Sequence, residues 1–186
     1  DPEVHTVWIM KPSRGGATEA MINVWGKHVD VDPRNMLWVQ TSEKEIEKFS
    51  KLILTPAIEA TPELRAKVTS RTKKTETSTT LLKQYPGGGT ILAGAQSPKA
   101  FGMVATPIVF GDDIDRMPES VGDEGDPIDL MLSRCKNFWD RKAYFASTTT
   151  IKGHSRIEKG FESGDQRYFM VECQQCRRRQ RLVWAQ

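Results

Sequence analysis

The stretch from Val7 to Glu19 constrains this chain most. Four apolar residues, Val7 to Met10, run into Lys11-Pro12-Ser13-Arg14-Gly15-Gly16-Ala17-Thr18-Glu19. An apolar strand, a glycine-containing loop and a helix opened by that loop form the outline of a phosphate-binding P-loop. Backbone N–H groups in the loop and first helical turn have no intrahelical partner, so they point outward toward anions. Gly15 and Gly16 permit a close approach that a Cβ would block. Thr18 stands where the motif's hydroxyl ligates Mg²⁺. The match is partial: G-x-x-x-x-G-K-[ST] asks for glycine at position 11 and lysine at 17, where this chain has Lys11 and Ala17. The lysine has moved to the start of the loop, and Arg14 adds a second cation. Taken alone, the stretch is either a nucleotide site or a glycine turn between strand and helix.

The rest of the chain narrows the choice. Its 186 residues suit one domain with at most a small appendage, and 38% hydrophobic and 27% charged residues are ordinary for a globular chain. No apolar run approaches the ~18 residues of a membrane-spanning helix, and no signal peptide is evident, so no membrane role is expected. Three cysteines fit a reducing compartment better than a disulfide framework. Met21, Val24, Trp25 and His28 recur at helical spacing, which makes His28 part of a packed face and not a ligand. Met36 to Val39 reads as a second buried strand ending in Gln40-Thr41-Ser42. Ser42 and Glu45 form a capping box for a helix that Pro56 is expected to limit. Thr61-Pro62 starts another helix, and residues 67–80 read as an exposed basic loop, more simply solvated than bound to DNA. Strands over 79–85 and 90–95 are expected to pair around Pro86-Gly87-Gly88-Gly89. Alternating strands and helices predict an α/β domain with a largely parallel sheet.

A second motif follows the apolar run Pro107 to Phe110. In P-loop NTPases the first acid at such a strand end holds Mg²⁺, and the second, usually Glu, orients the attacking water. Asp112 and Asp113 occupy those places, the latter one methylene short. The plainer reading is an acidic turn with Asp112 as a helix cap. From Asp112 to Asp129 there are eight acidic residues and one basic one. Gly125 to Arg134 reads as a helix and Ala143 to Ala146 as a strand, ending at Ser147-Thr148-Thr149-Thr150. That hydroxyl-rich end suits a γ-phosphate sensor, or it caps a turn.

In order along the chain, these motifs carry a resemblance. They are Lys11 to Glu19, Asp32-Pro33 with Leu37 to Thr41, Phe49-Ser50-Lys51, Leu54-Thr55-Pro56 and Ala60 to Leu64. Tyr85 to Gly88, Gly94 to Pro98, Asp112 to Arg116, Ser147 to Gly153, Ser155 to Glu158, Asp165 to Tyr168 and Cys173 to Cys176 continue the series. Together they resemble the ATPase domain of the large terminase subunit of tailed bacteriophages, of the lambda type (GpA). The resemblance implies an ASCE-type P-loop NTPase fold over residues 1–165, with 166–186 leading toward a nuclease domain expected in the full-length protein. It implies an ATP-hydrolysing motor that drives double-stranded DNA into a procapsid, acting in the host cytoplasm as a ring on the portal protein with a small terminase subunit. A segment before the first strand that holds adenine is expected outside this chain.

Carried over by position, Lys11, Pro12, Ser13, Arg14, Gly15, Gly16, Ala17, Thr18 and Glu19 bind the nucleotide. Thr18 and Asp112 hold Mg²⁺, Asp113 with Lys11 and Arg14 is catalytic, and Ser147, Thr148 and Thr149 form the coupling motif. Arg134 is a candidate arginine finger toward a neighbouring subunit. Ala17 and Asp113 depart from the commonest pattern. They motivate a rival reading, a weakened or inactive nucleotide- or DNA-binding module. A helicase-like DNA-dependent ATPase is a third reading; it shares the two nucleotide motifs but does not account for the runs Ser147 to Gly153 and Asp165 to Cys176. Cys173 and Cys176 have the spacing of half a zinc knuckle, and two ligands do not hold a structural zinc. The resemblance, whose members often have a second cysteine pair downstream, implies Zn²⁺ only in the full-length protein. Arg177 to Arg179 face DNA or solvent.

Overall fold

The computed structural model describes residues 3–68, 80–102 and 105–181. Five strands run parallel: β1 (Thr6–Met10), β2 (Met36–Gln40), β4 (Gly88–Gly94), β5 (Ile108–Asp112) and β6 (Lys142–Ser147). With β3 (Leu82–Tyr85) antiparallel at one edge, they form a six-stranded sheet in the order β1-β6-β5-β2-β4-β3. Hydrophobic runs make this possible. Parallel strands lie under helices on both faces, and β2 and β5 are buried at every position.

Alternate side chains divide the core in two. Met36 and Trp38 of β2, with Ile108 and Phe110 of β5, point to one face. There they meet α1 (Ala17–Asp30), α2 (Glu43–Phe49), α3 (Thr55–Ala60) and α4 (Pro62–Lys67). Leu37, Val39 and Val109 point to the other face, against α5 (Pro98–Gly102), α6 (Pro127–Cys135) and α7 (Arg156–Glu162). On the first face Phe49, Trp38, Phe110 and Tyr144 stack in succession, with ring centroids 4.8, 4.7 and 5.2 Å apart. Offset stacking of this kind adds to the stabilisation from area burial.

Local chemistry sets several boundaries. Ser42 caps α2, its Oγ accepting from Glu45 N at 3.3 Å. Pro56 does not end that helix, contrary to the sequence expectation. A wide π turn over Ser50–Leu54 joins α2 to α3, and Thr55 N reaches back five residues to Ser50 O. Pro56 then sits in the first turn of α3, where its missing N–H costs little. The wider turn also keeps Ile46, Ser50, Leu54 and Ile58 on the buried side, although they are four residues apart. Thr61 precedes α4 as expected, but its side chain makes no cap. Residues 69–79 of the expected basic loop lie outside the described residues. Beyond the six-stranded sheet, β7 (Met170–Glu172) and β8 (Arg179–Arg181) make a separate antiparallel hairpin.

Register decides what lies together. Met10 stands opposite Ser147, Asp112 opposite Ala146, and Gln40 opposite Gly94. The C-terminal ends of β1, β6, β5, β2 and β4 therefore share one rim of the sheet, the place where open α/β sheets bind ligands.

Candidate nucleotide site

The loop after β1 begins pinned and ends open. Lys11 N donates to Ser147 O at 3.0 Å, and Gly15 N folds back on Pro12 O at 3.2 Å. Gly16 has φ 77° and ψ 6°, a left-handed conformation that glycine adopts without strain. It precedes the 14-residue helix α1, whose N-terminus receives no side-chain cap. The first N–H groups of α1 thus face the rim, with the positive end of the helix dipole behind them. Ala17 is buried in the apolar cluster beneath α1. The cation comes instead from Lys11, whose Nζ lies 3.2 Å from Asp112 Oδ1 and 3.3 Å from Asp113 Oδ1. Arg14 is exposed at the loop's apex with φ 59°, and among the described residues it has no partner.

Asp112 ends β5 and is 3% exposed. Four donors converge on its carboxylate. Lys11 Nζ and Asp113 N, the latter at 3.1 Å, reach Oδ1, while Thr18 Oγ1 at 2.8 Å and Gln40 Nε2 at 3.2 Å reach Oδ2. Asp113 follows in a left-handed conformation, φ 54° and ψ 45°, with its side chain 38% exposed. A non-glycine residue held there is strained and needs surrounding structure to fix it. The donor set fits Mg²⁺: a carboxylate beside a hydroxyl, both hard oxygen ligands, next to a loop shaped for phosphates. Among the described residues no three His, Cys, Asp or Glu side chains cluster as a metal cage.

β6 lies between the loop strand β1 and the acid strand β5. Its last residue, Ser147, is fully buried, donating from Oγ to Thr148 O at 2.9 Å and accepting from Asp115 N at 3.2 Å. Ser147 therefore joins the loop, through Lys11 N, to the segment after Asp113. Thr148 is half-buried and Thr149 exposed beside it.

A family profile described as phage terminase large subunit gpA, ATPase domain, matches residues 1–186. The chain belongs to that family. Among curated relatives, the terminase large subunit of Enterobacteria phage P21 is 28% identical over 98% of this chain. That of Escherichia phage lambda is 25% identical, also over 98%. The chain spans 29% of the length of each. Its fold resembles the HK97 bacteriophage large terminase, with TM-score 0.65 and 13% identity over 86% of this chain and 32% of that one. It also resembles the Thermus phage P74-26 large terminase ATPase domain, with TM-score 0.58 and 16% identity over 96% and 72% of the two chains.

Within this gpA ATPase domain two candidates lie away from the phosphate rim. Arg134 is at the end of α6, where its carbonyl accepts from Thr106 N just before β5 begins. Asp112 is at the other end of that strand, so Arg134 does not reach the site of its own chain. Cys173 and Cys176 sit in the turn between β7 and β8, with Arg177 N donating to Cys173 O at 2.9 Å. Backbone N–H groups of Cys176 and Gln175 lower the Cys173 thiol pKa. This is a pair of ligands without a second pair among the described residues, and it does not by itself make a zinc site.

Sequence reasoning passed over three residues that organise the site. Gln40 was visible only as the polar end of an apolar strand. Asp115 accepts from Thr150 N and Oγ1 through Oδ2, at 3.2 and 3.1 Å, and from Ile157 N through Oδ1 at 2.8 Å. Arg156, the first residue of α7, donates to Asp126 at 2.9 Å and to the carbonyls of Ile114, Met117 and Pro118 at 3.1, 3.0 and 2.8 Å. Asp115 and Arg156 together hold the segment that follows Asp113. Their roles depend on partners 30 to 42 residues away, which no local pattern signals.

Proposed function

We propose that this domain hydrolyses ATP and that the hydrolysis drives double-stranded DNA into a phage procapsid. The observation that carries the reading is Lys11 Nζ, within 3.3 Å of both Asp112 and Asp113 while Thr18 bonds Asp112. One lysine from the start of the loop thus takes the place that the common pattern gives to a lysine at position 17. In the reaction Lys11 turns from the acids to the phosphate oxygens, and the N–H groups of residues 16–18 receive the rest of that charge. Thr18 and Asp112 would hold Mg²⁺, which when bound neutralises charge on the phosphates. Asp113 orients water for in-line attack and accepts its proton. Arg14, exposed at the apex, meets the charge that develops on the transferred phosphoryl group. Ser147, Thr148 and Thr149 pass loss of that group to the segment beyond β6.

In the full-length protein this motor is expected to work as a ring on the portal, with a small terminase subunit and an endonuclease domain, in the host cytoplasm. An arginine such as Arg134 acts, in this scheme, only on a neighbouring subunit's site. Contact with DNA through phosphates is salt-sensitive and tolerant of sequence. The test is ATP turnover with and without duplex DNA, in the parent chain and in Lys11→Ala, Ala17→Lys and Asp113→Glu. Lys11→Ala is expected to lower kcat by about 10²–10³-fold, the usual cost of removing one preorganised charge-stabilising group. Turnover indifferent to Lys11 overturns the assignment of the loop. Turnover confined to Ala17→Lys or Asp113→Glu would make this chain a blocked motor that binds nucleotide without using it.

A further inference from the structure

β2 ends inside the site, although nothing in its apolar pattern marks it as functional. Gln40 is its last residue, 8% exposed, and its Nε2 lies 3.2 Å from Asp112 Oδ2. Two of the four donors on Asp112 are Lys11 and Thr18. In the proposed reaction both turn toward substrate, Lys11 to phosphate and Thr18 to Mg²⁺. The two that stay are Asp113 N on Oδ1 and Gln40 Nε2 on Oδ2. One fixed donor on each oxygen sets the plane of the carboxylate. With Gln40 removed, only Oδ1 is held, and the carboxylate turns more freely about the Cβ–Cγ bond.

We propose that Gln40 is a positioning residue that keeps Asp112 aimed at the bound Mg²⁺ once Lys11 and Thr18 have left it; this rests on the ATP-binding reading above. Its platform is rigid. Gln40 O accepts from Ala95 N at 2.8 Å, and Gln40 faces Gly94 in the β2–β4 ladder. Its chemistry also suits the task. A neutral amide holds the carboxylate by one hydrogen bond and leaves its negative charge for the metal, whereas a lysine or arginine would neutralise it.

The experiment measures binding of a fluorescent, non-hydrolysed ATP analogue to the whole chain while Mg²⁺ is raised, and again in EDTA. Gln40→Met keeps the volume and loses the donor. Gln40→Asn keeps the amide but is one methylene too short to reach. In both, the Mg²⁺ concentration at half-maximal binding is expected to rise about tenfold, the scale of one hydrogen bond to a charged acceptor. Affinity in EDTA is expected to stay within about twofold of the parent. A purely structural role would lower both affinities together; that result, or an unmoved Mg²⁺ midpoint, overturns the proposal. If Gln40→Met fails to fold by circular dichroism, Gln40→Asn decides alone. A parent chain that binds no nucleotide under either condition overturns the ATPase reading, and this proposal with it. Mg²⁺-dependent binding that neither variant alters overturns this proposal and leaves the ATPase reading standing.

Discussion

Asp113 and His28 show how one residue answers to its surroundings. Asp113 is a short acid in a strained backbone conformation, with Lys11 3.3 Å from its carboxylate. His28, by contrast, is a core residue, as its helical spacing predicted. Burial lowers its pKa below the ordinary 6.5, and the nearby Asp32 opposes the shift only in part. The folded protein thus binds the proton later than the unfolded chain does. Stability is undiminished above about pH 6.5 and falls as the pH drops from there toward the lowered folded value, because the unfolded state protonates first. His28→Gln is expected to flatten this slope. Melting temperatures of both chains between pH 8 and pH 5, taken as a difference, check it; parallel curves would refute the assignment.

At the scale of elements, α7 carries more than packing. Its first residue, Arg156, binds three carbonyls of the segment after Asp113, and its Ile157 N–H binds Asp115. The helix start therefore clamps the left-handed turn at Asp113. Arg156→Lys retains the charge but not the planar fork that reaches several acceptors at once. It is expected to lower stability by about 1–2 kcal/mol, within the range for lost charge-assisted hydrogen bonds. It should also reduce kcat more than KM for ATP, since the turn it holds bears Asp113, the acid proposed to orient water. Urea denaturation and steady-state kinetics test the two parts; an unchanged kcat would separate α7 from catalysis. The π turn before Pro56 is the same kind of lesson. The expectation that proline ends a helix neglected a neighbour, Ser50, whose side chain is buried and donates to Thr80 O at 2.6 Å. That fixed point is served by widening the helix rather than ending it.

Taken whole, the molecule is a sheet between two helical layers, and its layers meet at points with no spare volume. Gly160 of α7 lies against β1 so closely that a Cβ there would stand 2.3 Å from the Trp8 ring. Trp8 in turn stacks on Phe145 of β6, centroids 4.6 Å apart. Gly160→Ala is expected to cost about 1–3 kcal/mol by overpacking and to move α7 off the strand that leads into the nucleotide loop. Chemical denaturation together with tryptophan fluorescence reads both effects; wild-type stability would show that the layer gap is compliant.

How much of this was written in the sequence follows the range of the interactions. The strand-loop-helix of Val7 to Glu19, the Ser42 cap and the buried runs at Met36 and Ile108 were legible because each rests on contacts within a few residues. The acids at 112 and 113 were legible as a pair at a strand end. The order β1-β6-β5-β2 was not, because the neighbours of a parallel strand are set by side chains packing across layers and by crossovers through helices. Only that order brings Lys11 to the acids, places Ser147 between the loop and Asp115, and sets Gln40 on Asp112. The sequence determined which groups the site would need; the tertiary structure decided which of them meet, since a hydrogen bond depends on distance in space and not along the chain.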